Sequence, residues 1–470
     1  MDSMEKILST YLPDRFPSGR QDQIFTPPHI AKEMVDALPD EIWNSKTTFL
    51  DPACKSGIFL HEIYKKLMAS ESVIKDFPDK KERREHILNN QLFGIALDDN
   101  CWMLSTRTTY GYLNPDSHIV TIENYIAMIK NPDQRFLYEA LKKEFGTMKF
   151  DVVIGNPPYQ DTSGKSSIYN KFVELSLIIS DLVCMITRDN WMNGKAFKGM
   201  RDKLVANGSI TSIVHYPKNG EIFKNVSVTV AYFVWERHKQ AITKYVRIKD
   251  GNVILKQDLD ITNGIIYKSE ISKSILNKVG AFKEWPEKYN TRSYPFMDQR
   301  KRYSMDSKSV ADGEHTVAVM INRESPVYVS IDNFSNVREV YSYKVMCGVI
   351  VNEASVENPG NVLTNIKSLG KNTVASETWS LIGTFDTEEE TINCSKYIHT
   401  RFVRFIANQS VNGRSNVTDN TFECIPLQDF TNQSDIDWSQ SIADIDKQLY
   451  AKYNLTEEEI EYIEKTIKAM

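Results

Sequence analysis

Residues 47–67 read Thr-Thr-Phe-Leu-Asp-Pro-Ala-Cys-Lys-Ser-Gly-Ile-Phe-Leu-His-Glu-Ile-Tyr-Lys-Lys-Leu. Thr47–Leu50 predicts a short buried strand, and Asp51–Gly57 a loop of mostly compact residues. Behind the loop, Ile58, Leu60, Ile63 and Leu67 carry the apolar face of a helix. Strand, small-residue loop and helix, in that order, open a nucleotide-binding α/β unit. Such a loop lets backbone N–H groups approach a small ligand, helped by the partial positive charge at the helix N-terminus. Taken alone, the same residues fit a plain βα turn equally well.

The pattern repeats outward. Upstream, Phe25-Thr26-Pro27-Pro28 predicts a helix start with Thr26 as N-cap, continuing through Ile30, Met34, Val35 and Leu38. Downstream, strands are expected at Gln91–Leu97, Ile119–Ile122, Phe150–Gly155, Leu182–Thr187, Ile210–His215 and Val226–Trp235. Helices are expected at Tyr169–Ile179 and Ala196–Val205, and the charged stretch Lys75–Glu85 reads as a surface excursion. Alternating β and α elements to about residue 237 predict an α/β fold, a Rossmann-like doubly wound sheet that is mostly parallel and covered on both faces. Beyond it, short β-like runs such as Thr316–Ile321 and Val327–Ile331 give way to helices opened by capping boxes at Thr387/Glu390 and Thr456/Glu459. The expected division is a first domain over 1–240 and a mixed α+β domain over 241–470.

Composition bounds the rest. A chain of 470 residues accommodates two or three domains with real cores. Its six cysteines include no C-x-x-C pair, so neither a zinc site nor a disulfide framework is indicated, and a cytoplasmic location is expected. No signal-peptide pattern opens the sequence, and runs such as Val226–Trp235 are too short to span a bilayer. The net charge of −5 argues against non-specific coating of nucleic acid but leaves room for a local basic groove, with basic clusters at Lys195–Lys203 and Arg300–Arg302. Gly164-Lys165-Ser166 looks like the end of a phosphate-binding P-loop, yet the first glycine that loop needs falls at Tyr159, which excludes it.

Chemistry concentrates in residues 151–159, Asp-Val-Val-Ile-Gly-Asn-Pro-Pro-Tyr. A strand runs there into a turn presenting the Asn156 amide, the Pro157 carbonyl, the rigid Pro158 and the Tyr159 ring. An amino group conjugated to a heteroaromatic ring is a poor nucleophile because its lone pair is delocalised. Two acceptors on its protons pull the nitrogen toward tetrahedral geometry and stabilise the charge that develops as it attacks. Tyr159 offers a π-face for the ring that carries it.

Together with Phe25-Thr26-Pro27 and the Asp51–Gly57 loop, Asn156-Pro157-Pro158-Tyr159 resembles the amino-group DNA methyltransferases that make N6-methyladenine. The motif order resembles the gamma arrangement, and the tail from Ser376 through Pro426–Phe430 to the last helix resembles Eco57I-type restriction-modification methylases. The resemblance implies S-adenosylmethionine as cofactor, held by Thr26, Asp51, Ala53, Cys54, Ser56 and Gly57, with Asp98 and Asn124 toward its adenosine end. It implies Asn156 and Pro157 as acceptors for adenine N6, Pro158 shaping the turn, Tyr159 stacking on a flipped base and Phe223 closing its other side. Double-stranded DNA is the implied partner, with a separate restriction endonuclease as a companion, since no nuclease signature is found and the chain starts close to Phe25. Arg292, Arg300, Arg302, Asn361 and Arg414 are candidates for reading or holding DNA.

Three departures stand out. Lys55 occupies a glycine position, Ala96 occupies the position of the acidic ribose binder, and Asn124 replaces an aspartate. They keep open a cofactor-impaired DNA-binding specificity subunit, and the turn chemistry keeps open methylation of RNA adenine or protein glutamine.

Overall fold

The computed structural model describes residues 24–470 except 162–165, 193, 207, 224–227, 262–266, 281–312, 314, 321–325, 335–337, 357, 376–378, 412–413, 418 and 423–424. Gly164-Lys165, Arg292, Arg300, Arg302, Ser376–Thr378 and the start of the expected Val226 strand lie outside the described residues.

Nine strands form one sheet: β1 (Phe49–Cys54), β2 (Leu92–Ala96), β3 (Ile119–Thr121), β4 (Phe150–Gly155), β5 (Ser180–Arg188), β6 (Gly208–Tyr216), β7 (Val230–Arg237), β8 (Thr243–Lys249) and β9 (Asn252–Leu259). Their order is β3-β2-β1-β4-β5-β7-β6-β8-β9. From β3 to β5 every pair is parallel, and β7 inserts antiparallel between β5 and β6. This is the doubly wound, mainly parallel sheet expected from the alternating pattern. Strands β1 and β4 lie side by side inside it, with Phe49, Leu50, Val152, Val153 and Ile154 fully buried. Each such side chain contributes about 1.5–3 kcal/mol by leaving water.

Several boundaries differ from expectation for physical reasons. β1 continues through Asp51-Pro52-Ala53 to Cys54, so the true loop is only Lys55–Gly57. Pro52 has no N–H for a ladder, and its pairing with β2 slips between Asp51 and Cys54, where a proline is tolerated. Thr26 does not cap the first helix, Pro28–Asp36, whose N-cap is Pro27 without any side-chain bond. The charged stretch after residue 70 is helical, Glu71–Asp76 and Lys80–Asn90, the second capped by Asp79 accepting from Lys81 and Glu82 N–H. Its sparse buried face, Arg83, Ile87 and Leu88, is masked in the sequence by surrounding charge.

The chain separates into two compact units, Met1–Ile266 and Tyr267–Met470. That boundary falls later than 240/241 because β8 pairs parallel with β6 and β9 pairs with β8, extending the first unit's sheet. The second unit has two three-stranded sheets, a two-stranded one and helices including Glu388–His399, Arg401–Asn408, Ile442–Lys452 and Glu457–Thr466. Both expected capping boxes, at Thr387 and Thr456, are formed. Among the described residues no helix is long and apolar enough to cross a membrane.

Candidate active site

The parallel strands β1, β2, β3 and β4 end on the same edge of the sheet, where open α/β folds bind ligands. At that edge a small pocket is lined by Thr26, Asp51, Ala53, Ser56, Gly57 and Asn156, together with Ile24, Lys55, Ile58 and Phe59. The structure therefore brings the loop after β1, the segment before the first helix and the turn after β4 around one space. They are separated by up to 132 residues in the chain and meet because β1 and β4 are neighbours.

Two glycines make this approach possible. Gly57 has φ +76° and opens the Ile58–Ala69 helix. A Cβ there would also lie 2.7 Å from the Ser105 carbonyl oxygen, so glycine is required twice over. Gly155, at the end of β4, faces Asp51: a Cβ would sit 2.8 Å from Asp51 Oδ1. The Asp51 carboxylate accepts from Ala53 N–H at 3.0 Å. Burial pushes its pKa up to about 7, against the opposing pull of that bond and of the nearby Lys55 charge.

Asn156 is 4% exposed. Its Nδ2 donates to Thr26 Oγ1 at 3.1 Å and, more weakly, to the Ile24 carbonyl at 3.5 Å. A carbonyl can only accept, which orients the amide with Oδ1 on the other side. Oδ1 is buried and has no hydrogen-bond partner among the described residues. An unsatisfied buried acceptor costs about 1–3 kcal/mol. Thr26, expected as a helix cap and cofactor contact, thus holds the asparagine in place.

The remaining expected residues fall into three groups. Cys54 is buried behind the pocket, where burial raises its thiol pKa well above the ordinary range and keeps it neutral, a filler and not a nucleophile. Asp98 and Asn124 follow β2 and β3. Asp98 accepts from Cys101 N–H at 2.8 Å as the cap of the Asp99–Tyr110 helix, and Asn124 is exposed with φ +57°. Neither lines the pocket described above. Pro157 and Pro158 are buried in the turn. Tyr159 and Phe223 meet edge to face, centroids 6.3 Å apart and planes at 68°. The slot between them is closed here, and a base held between their faces needs one ring to turn. The Tyr159 hydroxyl is buried without a partner among the described residues, and burial raises its pKa.

Reading the sequence missed three supports. Tyr125 OH donates to the Pro52 carbonyl at 2.9 Å, fixing the irregular end of β1. The Ile24 carbonyl accepts from both Asn156 and Lys55, at 3.5 and 3.3 Å. Tyr169 backs Tyr159 edge-on and stacks on Phe197. None has a local signal: each acts through a partner distant in sequence. Among them only Tyr125, an aromatic at a helix start after β3, could have drawn notice.

Comparison with known proteins agrees with this geometry. Residues 90–223 match the family model of the Eco57I restriction-modification methylase. An uncharacterized adenine-specific methylase of Mycoplasma pneumoniae is 27% identical over 292 residues, covering 47% of this chain and 69% of the relative. Among solved structures, the Type IIL restriction-modification enzyme MmeI in complex with DNA aligns with a TM-score of 0.57 at 11% identity, over 99% of this chain and 76% of that one. The DrdV–DNA complex aligns with a TM-score of 0.52 at 12% identity, over 94% of this chain and 59% of that one. The chain thus spans little more than half the length of some of the solved chains it matches, and these likenesses establish the fold.

Proposed function

We propose that this chain, which carries an Eco57I restriction-modification methylase domain, methylates N6 of adenine in double-stranded DNA at specific sites. The observation that carries the reading is the unspent Oδ1 of Asn156 in the wall of the same pocket as the end of β1 and the Lys55–Gly57 loop. An acceptor left unsatisfied in the wall of this pocket is suited to a donor that arrives with the substrate, such as an exocyclic NH₂.

The donor set fits S-adenosylmethionine: a glycine-opened helix terminus, a buried carboxyl and small side chains surround the pocket. When bound, this cofactor supplies a methyl group on a positively charged sulfur. Thr26 fixes the Asn156 amide so that Oδ1 accepts one N6 proton, and the Pro157 carbonyl accepts the other. Both contacts strengthen as the nitrogen gains positive charge in the transition state, so they favour the transition state over the ground state. Tyr159 stacks on the extruded adenine, and Phe223 turns to cover its other face. Stacking of about 1–3 kcal/mol per base offsets part of the cost of unstacking. Asp98 and Asn124, at the ends of β2 and β3, would meet the adenosine end. The second unit, Tyr267–Met470, would choose the target sequence. A cytoplasmic modification enzyme acting beside a separate restriction endonuclease is the setting this implies.

Incubation with duplex DNA and labelled S-adenosylmethionine, followed by nucleoside mass spectrometry, tests the reading. N6-methyladenine that disappears in Asn156→Ala supports it. Label in RNA or in peptides, with none in DNA, overturns it. Lys55 in the pocket wall favours one other reading, a subunit that binds DNA but not the cofactor. Calorimetry showing DNA binding without cofactor binding would establish that alternative.

A further inference from the structure

Arg188 is the last residue of β5, on the edge of the sheet where the site lies. β5 runs parallel to β4 with Met185 opposite Gly155, and Arg188 stands three residues beyond that pair, as Pro158 does on its own strand. On the other flank β5 pairs antiparallel with β7, Arg188 lying opposite Val230, and Phe223 precedes that strand by seven residues. The two rings proposed to take the base, Tyr159 and Phe223, thus follow and precede the strands on either side of the one that ends in Arg188. Its charge reaches the first of them: burial raises the pKa values of Tyr159 and Tyr169, and Arg188 opposes both rises.

The side chain of Arg188 is partly buried and has no hydrogen bond or ion pair among the described residues. Its acidic neighbour is committed elsewhere. Asp189 accepts from Thr229 Oγ1 at 2.7 Å, and its other carboxylate oxygen lies 2.8 Å from His215 Nε2. Asn190 accepts from the Tyr169 hydroxyl, so the turn that carries Arg188 is anchored on two sides. Other basic side chains nearby are satisfied. Lys198 pairs with Asp202, Lys171 and Lys203 pair with Glu174, and Arg201 donates to the Trp191 and Gly194 carbonyls. A guanidinium held without a counter-ion beside the base-binding rings is suited to an anion that arrives with the substrate.

We infer that Arg188 grips the phosphodiester beside the extruded adenosine, its N–H donors spanning the phosphate oxygens. A base leaves the stack by turning about its own backbone, which brings a flanking phosphate to the mouth of the pocket that takes the base. The inference rests on the function proposed above and adds to it a contact that holds the nucleotide by its backbone while Asn156 and Tyr159 hold its base. Loss of one charge-assisted contact corresponds to about a tenfold weakening or more.

Long-read sequencing of DNA methylated by the full chain gives the target site. Duplexes carrying it are then made with an uncharged methylphosphonate at each of the two linkages flanking the target adenine, and binding is measured by anisotropy. Wild type should lose about tenfold or more at one linkage. Arg188→Met should lose as much on unmodified DNA, lose nothing further at that linkage, and bind S-adenosylmethionine as wild type does. Its plot of log affinity against log salt should be shallower by about 0.9, the share of one phosphate contact. Should Arg188→Met not fold, Arg188→Gln takes its place. Losses from the variant and from the methylphosphonate that multiply, as for independent sites, overturn the inference. Wild type indifferent to both linkages overturns it without any variant. No N6-methyladenine in any DNA would remove the proposed function too, whereas methylation with multiplied losses removes this inference alone.

Discussion

Each unit of the molecule buries an asparagine almost completely, and the two are used in opposite ways. Asn408, in the second unit, spends both ends of its amide on Ala354, accepting from its N–H at 2.9 Å and donating to its carbonyl at 2.8 Å. Asn156 spends only its NH₂, and its oxygen is left over. The buried aspartates repeat the contrast. Asp446 accepts from Arg401 and Phe402 N–H, closing the start of the Arg401–Asn408 helix. Asp51 makes one backbone bond and lines the pocket. Burial raises both pKa values, to about 6 and about 7, so a perturbed carboxyl is no signature of a site by itself. Spare hydrogen-bonding capacity beside an opening is the better one.

The asparagines give the sharpest test. Asn156→Ala should lower methyl transfer about a thousandfold, in the range for removing a transition-state hydrogen bond, while cofactor affinity and folding stability hold. Asn408→Ala should leave Ala354 with two unpaired buried groups, at about 1–3 kcal/mol each, and be seen mainly as a lowered urea midpoint. Turnover assays and denaturant melts on both variants measure this. A stability loss for Asn156→Ala as large as for Asn408→Ala would erase the distinction.

The aspartates come next. Both carboxyls have folded pKa values above the ordinary 3.8, so between the two values the folded state holds more protons than the unfolded one. Stability is therefore full below about pH 4 and falls as pH rises, to about 7 for Asp51 and about 6 for Asp446. At about 1.36 kcal/mol per unit the losses are on the order of 4 and 3 kcal/mol. Asp51→Asn and Asp446→Asn should each flatten their window in unfolding free energy plotted against pH. Only Asp51→Asn should also weaken cofactor binding.

How much of this the sequence discloses follows the same division. The sheet was legible because burial on both faces leaves unbroken apolar runs, as in β4, whose ends at Phe150 and Gly155 were read correctly. The membership of Thr26, Asp51, Ser56, Gly57 and Asn156 in one pocket was legible through the family resemblance. Pairings across the chain were not: Thr26 looks like a helix cap locally, and only tertiary contact makes it the partner of Asn156. Thr47–Leu50 overlaps β1, Phe49–Cys54, only in part, because the slipped pairing with β2 lets the strand continue through Pro52 despite its missing N–H. In the second unit the β-like runs at Thr316–Ile321 and Val327–Ile331 correspond to the strands Thr316–Met320 and Val327–Ser330, and the capping boxes mark two helix starts, whereas the other short strands carry little periodicity.

Two glycines separate backbone need from packing need. Gly57 and Gly111 both have positive φ, but a Cβ on Gly57 strikes Ser105 whereas none on Gly111 meets anything within 4 Å. Gly111→Ala should cost about 1 kcal/mol, for conformation alone. Gly57→Ala should cost about 3 kcal/mol, because overpacking adds to it. Equal costs in a denaturant melt would mean that the Asp99–Tyr110 helix yields freely, and that the pocket floor is softer than its geometry implies.

The smallest expected effect separates the two rings at the turn. Tyr159 is wedged between Tyr169 and Phe223, touching both edge to face, and its hydroxyl bonds to nothing. Phe223 meets Tyr159 from the other side. Tyr159 should therefore carry the stacking in the transition state, and Phe223 the closing of the lid over it. Tyr159→Ala should slow methyl transfer by about ten- to a hundredfold, the equivalent of one base stack of about 1–3 kcal/mol, and Phe223→Ala by less than tenfold. Tyr159→Phe keeps the ring and removes only an unpaired hydroxyl, so it should stay within about threefold of wild type and melt no lower. Single-turnover rates on duplex DNA decide the order. If Phe223→Ala proves the more damaging, or Tyr159→Phe as damaging as Tyr159→Ala, the base rests against the other ring or hydrogen-bonds to the hydroxyl, and Tyr159 joins Asn156 as a residue whose unpaired group waits for substrate.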